Sequence, residues 1–191
     1  YIKRVPLSTY RAQRRGGKGR SGMATRDEDF VANVYVVNTH TPVLFFSSQG
    51  TVYKLKVYKL PLGTPQARGK ALVNLLPLKE TETITTLMPL PENEELWDQL
   101  GVMFATSSGS IRRNRLSDFV NVMANGKIAM KLNKGDRLIG VAVCEKDQDV
   151  HHHQSILIFS VAGRGKELCD QLGRTNNQGI DTSVFLLVLA I

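Results

Sequence analysis

Between Gln13 and Gly19 the chain reads Gln-Arg-Arg-Gly-Gly-Lys-Gly, three cations and three glycines in seven residues. The chemistry this composition suits is polyanion binding. Glycine has no Cβ, so the main chain can approach a phosphate closely and line a concavity with N–H donors. Arg14, Arg15 and Lys18 bring charge to the same place, and Arg20 extends it. Residues 1–20 hold seven Lys or Arg, and the first acid is Asp27. By contrast Pro91-Glu92-Asn93-Glu94-Glu95 is locally acidic and reads as a solvated turn.

The remaining side chains offer little for catalysis. Gly16-Gly17-Lys18-Gly19-Arg20 lacks the spacing of a nucleotide-binding P-loop and the Ser or Thr after its Lys. No Ser-His-Asp or Cys-His grouping stands out. His151-His152-His153 has no third ligand at useful spacing and reads as a loop, so no metal is expected. Cys144 and Cys169 suit buried reduced thiols of a cytosolic protein. Trp97 and Tyr53 are expected in packing, and His40 in a hydrogen-bonded turn.

A net charge of +8 favours an acidic partner, and 42% hydrophobic residues argue against global disorder. No run approaches the roughly 18 apolar residues of a membrane span, Ser183 to Ile191 being too short. No apolar stretch follows the N-terminal charges, so no signal peptide is expected.

The elements that must position these cations repeat. Val43–Lys54, Val102–Arg113 and Ile156–Lys166 each read as an apolar strand, a small polar turn with a glycine, then a strand or tail carrying cations. The shared glycines are Gly50, Gly109 and Gly163, and a second landmark follows each at Gly69, Gly126 and Gly179. A period of 50–60 residues built from short strands predicts propeller-like blades that complete one another's cores. Helical signal is weak: Glu92–Leu100 and Arg115–Val122 could each make a short turn.

The leader Ile2-Lys3-Arg4-Val5-Pro6-Leu7 with Tyr10-Arg11-Ala12-Gln13-Arg14-Arg15-Gly16-Gly17-Lys18-Gly19-Arg20 resembles the start of the C-terminal domain of DNA gyrase A. Gln-Arg-Arg-Gly-Gly-Lys-Gly is the signature box of that family. Arg26–Phe30, Asn38–Thr41, Leu44–Ser47 and Gly69–Leu78 are similar to it as well, and the likeness runs from Tyr1 to about Val150. It implies an all-β fold, a six-bladed β-pinwheel of which about three blades are expected here. Residues 1–25 would form the basic leader with the box, and 26–90, 91–145 and 146–191 the blades of a single domain. After Val150 the pattern departs: the three histidines intervene and the third repeat is compressed.

The resemblance also implies function. In that family the domain wraps duplex DNA around a basic rim with positive handedness, so that strand passage introduces negative supercoils. The box would contribute Gln13, Arg14, Arg15, Gly16, Gly17, Lys18 and Gly19. Cations flanking the blade landmarks, Lys54, Lys56, Arg68, Lys70, Arg112, Arg113, Arg115 and Lys127, would line the rim. The resembled protein cleaves DNA through a tyrosine in its N-terminal part, so Tyr1, Tyr10, Tyr35, Tyr53 and Tyr58 have no catalytic role, and no cofactor is expected; ATP and magnesium serve elsewhere in the holoenzyme. Its other partners would be the N-terminal region of gyrase A and the gyrase B protein, in the cytoplasm at the nucleoid. The corresponding domain of topoisomerase IV, which typically lacks an intact box, and a propeller-type protein-interaction module with an incidental basic leader stay open; a hydrolase propeller finds no catalytic grouping here.

Overall fold

The apolar strand of each of the first two repeats takes a central place in its sheet, and the cationic strand takes or approaches an edge. The computed structural model describes residues 1–10 and 31–145, together with the backbone of strands at Asp149–His153, Ile156–Ser160 and Val184–Ala190. The described residues hold strands and short 3₁₀ turns with no α-helix, as the all-β reading expects. Among them no helix is long and apolar enough to cross a membrane.

In chain order the strands are β1 (Ile2–Pro6), β2 (Val31–Asn38), β3 (Pro42–Ser47), β4 (Thr51–Lys56), β5 (Ile84–Pro89), β6 (Gly101–Thr106), β7 (Ile111–Arg115), β8 (Lys127–Ile128), β9 (Leu138–Cys144), β10 (Asp149–His153), β11 (Ile156–Ser160) and β12 (Val184–Ala190). They join in the sheet orders β1-β12-β2, β5-β3-β4-β8, β7-β6-β9 and β10-β11. The two weak helical signals appear as 3₁₀ turns at Glu94–Asp98 and Leu116–Phe119. Asn93 opens the first by accepting from the Glu95 N–H.

The chain forms two units: Tyr1–Val43, Leu55–Leu78 and Gly179–Ile191 in one, Leu44–Lys54 and Lys79–Gln178 in the other. In the second, β3 and β6 are buried along nearly their whole length, as continuous apolar runs require. Leu44, Phe46, Val52, Val102, Phe104, Leu116, Phe119 and Leu138 form its core. Phe46, Phe104 and Phe119 meet edge to face, with ring centroids 5.5–5.9 Å apart. Trp97 is buried there too and donates its indole N–H to the Pro91 carbonyl at 2.9 Å.

Two segments depart from the expected third repeat. The histidines expected in a loop lie in β10, where His151 pairs with Ile158 and His153 with Ile156 of β11. Alternating Asp149-Val150-His151 beside the apolar run Ile156–Phe159 supplies a hairpin, and tertiary pairing overrides the low strand propensity of a polar stretch. Val184–Ala190, placed by the sequence in the blade 146–191, instead pairs on one side with β1 (Ile2↔Leu189 to Pro6↔Phe185) and on the other with β2. An unbroken apolar run without polar alternation suits a strand covered on both faces and does not itself choose the strands it pairs with. Gly163 and Gly179 lie outside the described residues.

Candidate nucleic-acid interface

Each of the first two repeats sets a Gly-Lys pair against a cation-bearing strand that lies before that repeat in the chain. In the first unit Gly69-Lys70 lies on β1: the Ile2 N–H donates to the Lys70 carbonyl at 2.9 Å and the Lys70 N–H to the Ile2 carbonyl at 3.0 Å. In the second unit Gly126-Lys127 lies on β4, with Val52 opposite Lys127 and Thr51 opposite Ile128. Both glycines have positive φ, +89° and +86°, so the chain reverses there and leaves the following lysine side chain exposed. Lys127 also donates through Nζ to the Asp118 carbonyl at 2.6 Å.

The hairpin glycines behave as the repeat predicts. Gly50 and Gly109 have φ of +76° and +85°, and each N–H donates back at 3.0 Å, to Ser47 and Thr106 respectively. The turns are tied from the side by matching bonds. Ser48 and Thr83 exchange bonds in one repeat, and Ser107 and Arg137 do so in the next. The carboxylate one residue earlier differs. Glu82 is buried and accepts from the Tyr53 hydroxyl at 3.0 and 3.1 Å and from the Lys79 N–H at 3.1 Å. Asp136 accepts from the Ser107 and Ser108 hydroxyls at 2.8 and 2.7 Å. Desolvation works to raise the Asp136 carboxyl, but hydrogen bonds from Ser108, Ser107 and Thr106 outweigh it and hold it below the usual carboxylate range.

The cations named from the sequence fall into two groups. Lys56, Lys70, Arg112, Arg115 and Lys127 have exposed side chains, Lys127 while also holding the Asp118 carbonyl. Arg112 and Arg115 lie opposite Phe104 and Gly101 on β7, an edge strand, so the pleat points them to opposite faces. Lys54, Arg68 and Arg113 are engaged within the fold. Lys54 donates to the Val120 carbonyl, and Arg113, though exposed, donates to the Glu145 carbonyl at 2.9 Å. Gly101 makes room for that guanidinium: a Cβ there would come within 2.6 Å of Arg113 Nε and 2.8 Å of Cys144 Sγ. Burial raises the Cys144 thiol, and the Arg113 charge partly opposes this. Arg68 is half-buried, its Cζ 4.0 Å from the centroid of the Tyr1 ring. Gln13, Arg14, Arg15, Gly16, Gly17, Lys18, Gly19 and Arg20 lie outside the described residues.

Sequence reasoning passed over Lys3 and Arg4 as mere leader charge. Lys3 is fully buried, and Arg4 donates through Nε to the Leu60 carbonyl at 2.9 Å. A signal for Arg4 was present. Arg4, Lys54 and Arg113 each stand three positions ahead of a 3₁₀ turn, those starting at Leu7, Val57 and Leu116. All three clasp a main-chain carbonyl, so this repeated cation is a structural position. Among the described residues no cluster of His, Cys, Asp or Glu could hold a metal ion.

Comparison with known proteins follows the same lines. A family model described as "DNA gyrase C-terminal domain, beta-propeller" matches residues 1–38, 41–91 and 102–145. The DNA gyrase A protein of Rickettsia bellii is 59% identical over 150 residues, which is 78% of this chain and 17% of that protein. The chain therefore spans about a sixth of the length of that relative. A solved C-terminal domain of DNA topoisomerase IV superposes with a TM-score of 0.64 at 22% identity, over 75% of this chain and 42% of that one, a likeness of fold. A solved DNA gyrase A C-terminal domain superposes with a TM-score of 0.51 at 28% identity, over 75% and 44%. The repeated strand-turn-strand units, the two Gly-Lys corners and the matched residues together place the chain: it belongs to the DNA gyrase C-terminal domain family, with the β-propeller architecture of that family.

Proposed function

We propose that this chain binds duplex DNA without sequence specificity and wraps it with positive handedness, as part of a DNA gyrase A protein. The observation that carries the reading is the repetition of the Gly-Lys corner on β1 and on β4, which presents an exposed lysine at the same place in successive repeats. Each phosphate neutralised by Lys or Arg releases a condensed counterion, so affinity falls steeply with salt. Bending a duplex over a few turns costs on the order of several kcal/mol. A rim that adds contacts repeat by repeat offsets that cost as the duplex wraps. Lys56, Lys70, Arg112, Arg115 and Lys127 supply exposed charge for such contacts, and the 13–19 box would hold the last stretch of DNA and set the handedness. In the holoenzyme the partners would be the N-terminal region of gyrase A, the gyrase B protein and DNA, with ATP and magnesium acting elsewhere.

The test is topological. The chain is bound to nicked circular plasmid, the nick is sealed with ligase, the protein is stripped and the linking number is read on a gel. A linking-number increase that grows with protein is the expected result. Tight, salt-sensitive binding with no shift would reduce the reading to DNA binding without wrapping, and absence of duplex binding would overturn it.

A further inference from the structure

The loop before Lys70 is built around a buried cation. Lys3 donates through Nζ to the carbonyls of Thr64 at 3.0 Å, Pro65 at 2.7 Å and Ala67 at 2.8 Å. An ammonium has three donors and no acceptor, so three carbonyls satisfy it in full. Main-chain bonds hold the same loop at either end, Gly63 N–H to the Arg4 carbonyl at 3.0 Å and Lys70 N–H to the Ile2 carbonyl at 3.0 Å. Gly69 allows the second of these, because a Cβ there would lie 2.6 Å from the Ile2 carbonyl oxygen. Between the two anchors stands Arg68, its guanidinium over the Tyr1 ring. Tyr1, Lys3 and the loop all belong to the first unit.

We propose that Tyr1 and Lys3 are positioning residues that hold Arg68 as a preset contact for a DNA backbone phosphate, next to the exposed Lys70. This rests on the duplex-binding reading above. Contact with the ring face, with Cζ 4.0 Å from the centroid, restricts where the guanidinium can go, and its planar fork of N–H donors matches two phosphate oxygens. Holding it there before DNA arrives removes side-chain freedom that binding would otherwise have to remove. The contact is particular to the first repeat. Gly126 matches Gly69, and the residue before it is Asn125, which has no charge. Repetition of the rim therefore does not account for Arg68, whereas the loop grip on Lys3 does.

The experiment measures binding of the full chain to a mixed-sequence duplex across a salt series. Arg68→Ala should lower the slope of log affinity against log salt by about 0.9, one phosphate contact. Tyr1→Leu should weaken binding by about 2- to 5-fold, and Tyr1→Phe, which keeps the ring face, should bind as the unaltered chain does. Tyr1→Leu combined with Arg68→Ala should match Arg68→Ala by itself, because the two act through one contact. An unaltered slope in Arg68→Ala, or additive losses in the double variant, overturns the proposal while leaving duplex binding standing. Lys3→Met, if folded by near-ultraviolet circular dichroism, should weaken binding as Tyr1→Leu does, and a folded variant with unaltered affinity removes Lys3 from the proposal. If Lys3→Met does not fold, the Tyr1 and Arg68 variants decide. Failure of the unaltered chain to bind duplex DNA at all would count against the parent reading instead.

Discussion

Tyr53 and Glu82 meet in the interior of the second unit, and their pairing makes alkaline pH a probe of the fold. Burial, the hydrogen bond to Glu82 and its negative charge push the Tyr53 phenol up to about 12. An unfolded tyrosine ionises near 10. The phenol therefore contributes stability that is complete below about pH 10 and is lost as pH rises towards 12. Tyr53→Phe should cost about 1–3 kcal/mol at neutral pH, because the buried Glu82 loses its side-chain donor. It should also remove part of the loss between pH 10 and 12, leaving what Tyr10 and Tyr35 contribute, whose phenols burial also raises. Urea denaturation across that range checks both, and an unchanged alkaline slope would refute the assignment. The same scale shows how two of the rim cations are held. Lys54 and Arg113 carry the residue type expected of a DNA-facing rim, yet each gives a donor to a main-chain carbonyl of the second unit.

Equivalent turns in successive repeats share one backbone shape but have different surroundings, so equivalent substitutions should differ in cost. At Gly50 a Cβ would come within 2.2 Å of the Met130 carbonyl oxygen, and the Gly50 carbonyl accepts from the Ala129 and Met130 N–H groups at 2.8 and 3.1 Å. At Gly109 a Cβ would meet nothing within 4 Å. Gly109→Ala should cost about 1–2 kcal/mol, the price of a left-handed conformation with a side chain. Gly50→Ala should cost about 3 kcal/mol or more, because the hairpin and the segment after β8 must also separate. Denaturation midpoints of the two variants decide it, and equal costs would mean that the close approach at Gly50 relaxes freely. The sequence showed both turns through their small polar residues and glycine. It had no means to show which turn would be packed upon, since Met130 lies eighty residues from Gly50.

For the whole molecule, charge and topology separate. The chain carries 25 Lys and Arg, of which the 13–19 box holds three. Ordinary duplex affinity sums over many cations, whereas the handedness of a wrap depends on where the last stretch of DNA is held. Replacing Gln13, Arg14, Arg15, Gly16, Gly17, Lys18 and Gly19 by alanine should leave most of the duplex affinity and abolish the linking-number shift. Equal loss of affinity and of the shift would refute this division of labour.

Strand-turn-strand repetition, the glycine hairpins and the basic leader follow from the order of residues by itself. Apolar runs, small polar turns and positive-φ glycines are local properties, and each recurs at a readable period. Family membership was legible for the same reason, because a seven-residue box and flanking segments are local strings. What the tertiary structure decided is which cations remain available. Lys3 and Arg4 share the basic leader with the box, yet one is fully buried and the other grips the Leu60 carbonyl, 56 residues away. It also decided where β12 pairs, since an apolar run specifies burial and leaves its neighbours unnamed. A lysine or arginine at a sheet edge can face solvent or satisfy a carbonyl, and that choice belongs to chain segments that meet only once the fold is complete.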